Sequence, residues 1–346
     1  MLYATTRTKS NVETAYKTIH LDTAGDGGLF VPFRMEAWSK EDIRALKDRS
    51  FGQNMAQVLN FFFGTGLTGW DIEFAAGRSP IRVDTVSRRI YVAEAWHNSH
   101  WELEHLVQLI SERLAGSEPV ETPTNWVRLA VHIASIIASY GNLLATGQLQ
   151  ADQVLDMAVT TGDFTAPMAA WYARQLGLPI GNILCGCNAN GGLWDLLNHG
   201  QMDTGSLAVK TVTPKADFSL PRNLERLIYE TLGMEEVQRY LACCHLGDAY
   251  ELEEEPLMKL KEGLFAAVIS DSRVESITYS VYRSANYIFS PYTALAYGAL
   301  TDYRARTGEI RPVLLLAERS PTCDVETVAR FLRVDTGTVF RRMSEK

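Results

Sequence analysis

Apolar positions recur every three or four residues in several parts of the chain, which is the spacing of one helix face. Residues 101–114 follow this pattern, and residues 126–140 are apolar around most of the circumference of a helix. The second pattern predicts a helix that is buried on most sides. Nearer the N-terminus, Ser39 precedes the acid Asp42 by three residues, an arrangement that indicates the start of an earlier helix.

Short apolar runs alternate with helical patterns in the middle of the chain. Residues 154–160 are predicted to form a buried strand, 161–164 a turn, 166–176 a helix and 182–187 another strand. This order is a βαβ unit, which implies a parallel sheet with helices on its faces. The unit therefore favours the α/β fold class.

Flanking segments extend the same alternation. An earlier strand is predicted at 89–93, and a late helix at 291–303 leads into a strand at 312–317. The segment Gly116-Ser117-Glu118-Pro119 breaks the pattern between two helices and marks a candidate boundary. The predicted organisation is an N-terminal region of residues 1–116 followed by an α/β large domain of residues 117–346.

Composition narrows the classes of partner. The net charge is -8, and neither sign forms a long block, which argues against nucleic acid or an anionic membrane as the main partner. No apolar run approaches the ~20 residues of a membrane span, and the first residues lack the apolar core of a secretory signal. A cytoplasmic protein is therefore expected. The five cysteines lack the paired spacing of a metal site and are interpreted as reduced structural thiols.

The turn between the first strand and the helix of the βαβ unit is the candidate ligand site. In such sheets, ligands bind beyond the carboxyl ends of the strands, and a helix that begins at Ala166 would direct its free amides into that space. Most turns of this kind bind nothing, so an ordinary structural turn is the alternative interpretation.

A series of short segments adds a family resemblance. In chain order they are Tyr3-Ala4-Thr5-Thr6-Arg7, Asp26-Gly27-Gly28-Leu29-Phe30-Val31-Pro32, Asn125-Trp126, Thr161-Gly162-Asp163-Phe164, Gly177-Leu178-Pro179-Ile180, Asn188-Ala189-Asn190, Leu220-Pro221-Arg222-Asn223-Leu224-Glu225-Arg226-Leu227 and Ser290-Pro291-Tyr292-Thr293-Ala294. By these segments the chain resembles the threonine synthase family. The resemblance implies a fold of type II pyridoxal-phosphate enzymes, similar to the tryptophan synthase β subunit, and conversion of phosphohomoserine to threonine.

The lysine that this chemistry requires is missing from its expected place. The family carries its Schiff-base lysine shortly after a Glu-Leu-Phe-His segment, which is similar to the segment from Glu94 to His97 here. Counting onward from that segment places Glu104 at the lysine position, and no lysine lies between Lys47 and Lys210. A carboxylate cannot form an imine, so Schiff-base formation is expected to be lost.

The phosphate-binding turn of the family also differs here. The resemblance assigns that role to Gly162, Asp163, Phe164, Thr165 and Ala166. Asp163 adds a negative charge where a phosphate would lie, and Thr165 places a side chain where glycine would let the backbone approach. Pyridoxal phosphate is therefore not expected to bind, and no other cofactor is expected in its place.

A third difference concerns the small cofactor subdomain of the family, which stands between the lysine helix and the Asn-Trp segment. In this chain residues 115–124 alone make that connection, and they could span only about 30 Å if fully extended. The subdomain is thus predicted to be largely deleted. Its loss would uncover one face of the cleft, and a second copy of the chain, another protein or a small molecule could cover that face.

Three functions follow as hypotheses. The first is a pseudoenzyme that has lost pyridoxal phosphate and threonine synthase activity and binds a ligand or partner, with Asn125, Asn188 and Asn190 lining the old substrate cleft. The second is an enzyme of changed chemistry that uses Glu104, Asp163 and the nearby His97 and His100, or a metal held by His100, Glu104 and Asp163. The third is an active pyridoxal-phosphate lyase similar to threonine synthase.

Overall fold

The computed structural model describes residues 1–8, 12–76, 81–96 and 102–345. Its strands are β1 Leu2–Thr5, β2 Glu13–Thr14, β3 Phe30–Pro32, β4 Arg82–Ser87, β5 Ile90–Glu94, β6 Leu155–Thr160, β7 Ile180–Cys187, β8 Gln201–Asp203, β9 Ala249–Glu251, β10 Leu264–Val268 and β11 Val313–Ala317. Its helices are α1 Ala15–His20, α2 Lys40–Arg44, α3 Phe51–Phe63, α4 Gly69–Ala75, α5 Leu103–Ala115, α6 Asn125–Ala145, α7 Thr165–Gln175, α8 Gly192–His199, α9 Leu224–Leu232, α10 Met234–Leu246, α11 Glu254–Leu260, α12 Asp271–Ala285, α13 Pro291–Thr307, α14 Val325–Leu332 and α15 Thr336–Ser344.

A six-stranded sheet organises the molecule, with the strand order β10-β7-β6-β11-β5-β4. Its neighbouring strands are parallel except at one edge, where β4 pairs with β5 in antiparallel fashion. Every residue of β5, β6 and β11 is buried, because helices cover both faces of a sheet whose strands are connected by crossovers. The predicted α/β class and the central βαβ unit are confirmed.

The predicted elements are found with ends that shift by a few residues. Ser39 caps α2, and its side chain and that of Asp42 form the reciprocal hydrogen bonds of a capping box. The strand β4 was not predicted, since its sequence is mostly polar and half-exposed at the sheet edge. The N-terminal sheet, in the order β2-β1-β3, was not predicted either, because its strands are too short to show a period.

Helix α6 forms the centre of the core. Contrary to the expectation from the sequence, it has the length and hydropathy of a membrane span. However, 89% of its apolar stretch is buried inside the protein. It packs against α3 on one side and α7 on another. A buried helix meets the same test of length and composition as a membrane span, so α6 is accounted for by the protein core.

The predicted regions 1–116 and 117–346 share one sheet. Strands β4 and β5 come from the first region, and the other four strands come from the second. Helix α5 is joined to α6 through residues 116–124 alone, so no subdomain stands between these two helices. The carboxyl ends of β5, β6 and β11 therefore face a space that is bounded by α5, α6 and the turns that follow the strands.

Candidate ligand-binding cleft

A cleft of about 520 Å³ lies beyond the carboxyl ends of β6 and β11. The turn after β6, the N-terminal end of α5, the first half of α6 and the loop at 215–218 form its walls. Its lining is rich in ionisable side chains, namely Glu102, Glu104, Arg128, His132, Asp163, Lys215, Tyr292, Glu318 and Arg319. The cleft occupies the position at which parallel α/β sheets bind ligands, as the sequence predicted.

Glu104 lies in this cleft and forms a two-pronged ion pair with Arg128 of α6. The Nε atom of Arg128 lies 2.9 Å from Oε2 of Glu104, and its Nη2 atom lies 2.6 Å from Oε1. Parallel hydrogen bonds of this kind fix both side chains as well as pairing their charges. The hydrogen bonds to Glu104 raise the pKa of the Arg128 guanidinium above its ordinary value, outweighing the effect of burial.

His132 lies one turn further along α6 and contacts an acceptor through each ring nitrogen. Its Nδ1 atom is 2.8 Å from the backbone oxygen of Arg128, and its Nε2 atom is 2.6 Å from Oε1 of Glu318. Burial lowers the pKa of the imidazole, but the hydrogen bond to Glu318 and its charge outweigh burial, so the pKa is raised. Because a carbonyl and a carboxylate both accept, this geometry fits an imidazolium that donates from both nitrogens.

Glu102 lies at the cleft rim, just before α5, and meets two cations. Its carboxylate oxygens lie 2.9 and 3.1 Å from Nζ of Lys215, and it also pairs with the guanidinium of Arg319. The backbone of this wall is fixed separately, since the amide of Leu103 donates to the carbonyl of Glu318 at 2.8 Å. Three separate segments of the chain thus meet at one carboxylate.

The turn after β6 has an unusual backbone. Gly162 and Phe164 both have positive φ angles, +47° and +70°. The Oδ1 atom of Asp163 accepts the backbone N–H of Thr165 at 3.0 Å, which is the first amide of α7. Two residues later Pro167 has no N–H to offer. The N-terminal end of α7 therefore has few amides free for an anion.

The predicted substrate-cleft residues lie outside this lining. Asn188 is buried, and its amide lies 2.7 Å from Asp217 Oδ1, while that of Asn190 lies 2.9 Å from the carbonyl of Val209. Both asparagines thereby fasten the loop that carries Lys215 and Phe218 into the cleft. Asn125 is buried at the start of α6, where its side chain accepts a hydrogen bond from Arg226.

The structure does not test the candidate metal site of His100, Glu104 and Asp163 as a whole. His97 and His100 lie outside the described residues, and Glu104 is engaged with Arg128. Within the part of the chain that the structure describes, no group of three His, Cys, Asp or Glu side chains is arranged to hold a metal ion. The buried cysteines Cys185 and Cys187 form no disulfide bond. Burial raises the pKa of Cys187 to about 11, as expected for a structural thiol.

Sequence reasoning missed most of the cations of the cleft. Arg128 and His132 lie four residues apart in a mostly apolar helix, and that spacing places them on one face. This was the available signal, because charged residues in a buried helix need partners. Lys215 gave no comparable signal, since it lies in a loop 113 residues along the chain from its partner Glu102.

Sequence comparisons identify relatives of this chain. Residues 2–77 match the model of the threonine synthase N terminus. Threonine synthase-like 1 of Homo sapiens is 28% identical over 178 residues, which are 50% of this chain and 24% of that protein. Threonine synthase of Pseudomonas aeruginosa is 24% identical over 182 residues, 52% of this chain and 38% of the relative. The chain thus spans only a part of the length of these relatives.

Solved structures share the fold over nearly the whole chain. The structure of threonine synthase with bound PLP from Brucella melitensis has a TM-score of 0.80 at 18% identity, covering 96% of this chain and 92% of that one. The structure of yeast threonine synthase has a TM-score of 0.81 at 15% identity, covering 96% of this chain and 90% of that one.

A mixed sheet flanked by helices, with a polar cleft beyond its strand ends, defines a protein with the fold of type II pyridoxal-phosphate enzymes. Within that class the chain is similar to the threonine synthases, as the resemblance of its sequence segments predicted, in residues 2–77 and in about half of its length.

Proposed function

We propose that this threonine synthase-like chain has lost Schiff-base chemistry with pyridoxal phosphate and acts by binding a small molecule in its cleft. The observation that carries the proposal is the ion pair of Glu104 with Arg128. The resemblance assigns the family's lysine to position 104, and the side chain there is a carboxylate that lines the cleft. A carboxylate can neither form an imine nor supply a basic amine.

The residues at the turn do not fit a cofactor phosphate. The carboxylate of Asp163 already accepts the amide of Thr165 and places a negative charge at the N-terminal end of α7. Pro167 removes a further donor from the same end. Two independent parts of a pyridoxal-phosphate site, the amine and the phosphate cradle, are thus replaced by groups with the opposite properties.

Binding is favoured over changed chemistry because the ionisable groups of the cleft are already committed. Both ring nitrogens of His132 face an acceptor, so the ring has no nitrogen free to take a proton from a substrate. Glu104 and Glu102 are each held in ion pairs. A protein partner or second copy over the cleft face stays a prediction, and the half-exposed ring of Phe218 at the rim is the surface that it would cover.

The first prediction concerns pyridoxal phosphate itself. Because position 104 carries a carboxylate, the purified protein mixed with pyridoxal phosphate should show no absorbance band of a protonated imine. Borohydride reduction followed by peptide mass spectrometry should find no pyridoxyl group in the cleft. Glu104→Lys alone should also fail, because Asp163 still opposes the phosphate. Glu104→Lys with Asp163→Gly supplies the amine and removes the opposing charge, and it should gain a reducible adduct.

The control is Lys215, the amine that lines the cleft. A reduced adduct on Lys215 in the wild-type chain, lost in Lys215→Arg, would establish a relocated Schiff base and would overturn the proposal.

A further inference from the structure

Two cations converge on one carboxylate at the rim of the cleft, and the arrangement is that of a bound anion. Lys215 Nζ lies 2.9 Å from Glu102 Oε2, and the guanidinium of Arg319 pairs with the same group. Ammonium and guanidinium groups are the cations with which proteins recognise carboxylate ligands, and here one of each pairs with the same carboxylate. We infer that Lys215 and Arg319 form a binding subsite for a ligand carboxylate, and that Glu102 occupies this subsite as an internal substitute.

Arg319 is held in place without Glu102. Its Nε atom lies 2.8 Å from Oδ2 of Asp324, and its guanidinium carbon lies 5.8 Å from the ring centre of Tyr292. Its side chain is only 15% exposed, so these contacts leave it little freedom. The guanidinium would therefore keep its position if the side chain of Glu102 turned away.

Lys215 is positioned by its loop rather than by Glu102. Its backbone amide donates to the hydroxyl of Tyr292 at 3.2 Å, and Asp217, two residues later, accepts from the amide of Asn188. The side chain of Lys215 is 59% exposed and can follow a ligand. One rigid and one adaptable cation at the edge of a cleft are suited to receive an incoming anion.

Glu102 can leave the subsite by rotation of its side chain alone. It has extended backbone angles, with φ at −140° and ψ at 138°, and the hydrogen bond from the amide of Leu103 to Glu318 keeps the main chain in place. At 27% exposed, its carboxylate is in reach of water. Exchange of Glu102 for a ligand therefore leaves the cleft wall intact.

Charge selects the class of ligand. With Glu102 turned away, Arg319 keeps its pair with Asp324, and among the described residues the charge of Lys215 is left uncompensated. A carboxylate carries one negative charge and matches it, whereas a phosphate dianion would add a second charge near Asp163 and Glu318, which line the same cleft. The inference rests on the proposed function and specifies its ligand as a small carboxylic acid.

The test uses acetate and the full chain. Thermal unfolding is followed at increasing acetate concentration, with chloride at equal ionic strength as the reference, because a ligand that binds the folded state raises Tm. Glu102→Gln removes the internal competitor, so its half-saturating acetate concentration should lie about tenfold below that of the wild type. This is the change expected if Glu102 leaves the subsite free in about a tenth of the wild-type molecules. Lys215→Gln or Arg319→Gln, added to Glu102→Gln, should abolish the acetate effect.

Asp163→Asn is the matched control, because it removes one negative charge from the same cleft without freeing a cation. Its affinity for acetate should change less than about twofold at ordinary salt, as expected for a general charge effect. Equal affinities in Glu102→Gln and Asp163→Asn would overturn the inference. If Glu102→Gln does not fold, Glu102→Asp keeps the charge but shortens the reach, and it must also bind acetate more tightly than the wild type.

Inorganic phosphate is the second arm of the test. A larger Tm rise with phosphate than with acetate in Glu102→Gln would overturn the assignment to a carboxylate. The outcome is independent of the cofactor test, since an imine on Lys215 would overturn the proposed function, whereas an absent acetate effect would overturn the subsite alone.

Discussion

At His132, burial and hydrogen bonding act on one imidazole in opposite directions. The side chain is 7% exposed, and burial by itself lowers its pKa. The contact of Nε2 with Glu318, together with the charge of that carboxylate, outweighs burial and raises the pKa above 6.5. In its charged form the ring joins α6 to the segment after β11 through the ion pair with Glu318. The stabilisation of the cleft wall by His132 therefore depends on whether its imidazole is protonated.

The pH dependence of stability follows from the sign of this shift. A group whose pKa is higher in the folded than in the unfolded state contributes stability that is complete below about 6.5 and is lost as the pH rises through the folded pKa. The free energy of unfolding of the wild type should exceed that of His132→Gln, and this difference should decrease from pH 6 towards pH 9. Urea unfolding at a series of pH values measures it.

His199 supplies the control for this prediction. It is 58% exposed and lies 3.5 Å from Asp195 on the surface of α8. The difference between the wild type and His199→Gln should change little over the same pH range, because water screens exposed pairs. A wild-type advantage over His132→Gln that is the same at pH 6 and pH 9 would contradict the assignment of a charged His132.

At the scale of elements, β7 and α13 approach each other closely at Gly186. A Cβ atom on this residue would lie 2.3 Å from the backbone oxygen of Leu295 and 2.8 Å from the backbone nitrogen of Ala296. Both contacts are with the main chain of a helix, which cannot turn aside as a side chain can. Glycine at the centre of Cys185-Gly186-Cys187 therefore serves the packing of a helix on the sheet.

Gly186→Ala should consequently destabilise the fold by about 1–3 kcal/mol or more, because overpacking at a main-chain contact forces β7 and α13 apart. Gly25→Ala is the matched control, since a Cβ atom there meets no atom within 4 Å and its φ angle is not positive. Urea unfolding of both variants measures the difference. Equal stabilities would show that the helix can shift without loss.

At the scale of the whole molecule, Arg226 joins the N-terminal sheet to the large domain. Its Nε atom donates to the carbonyl of Phe30 at 2.8 Å, and its Nη1 atom donates to the side chains of Asn125 and Asn223. The side chain is fully buried, and burial lowers its pKa to about 10, so it is still charged at neutral pH. Strand β3, helix α6 and helix α9 thus meet at a single guanidinium.

Replacing this guanidinium should loosen all three elements. Arg226→Met leaves three buried acceptors without a donor, and loss of a buried, charged hydrogen-bonding group is expected to lower the free energy of unfolding by about 3–5 kcal/mol. Arg222→Met is the control, because its pair with Asp22 is exposed, at 41% and 51%, and such pairs contribute about 1 kcal/mol or less. Similar losses in the two variants would contradict a central role for Arg226.

Much of the architecture could be predicted from the sequence because its signals are local. The apolar circumference of α6, the capping pair at Ser39 and the order of the βαβ unit each arise from neighbours in the chain. The absence of a lysine at position 104 is likewise a property of the sequence alone. Short or polar strands such as β4 were missed, since they lack the periodicity that reveals a strand.

The sequence by itself determined the fold class and the position of the cleft, and its family resemblance predicts that Glu104 stands at the position of the lysine. Only the tertiary structure decided which charges meet there. Glu104 pairs with Arg128, 24 residues away, and Glu102 pairs with Lys215, 113 residues away. Periodicity reports on neighbours along a helix or strand, whereas an ion pair depends on the distance between two atoms in space, and that distance is fixed when the sheet brings the ends of its strands together.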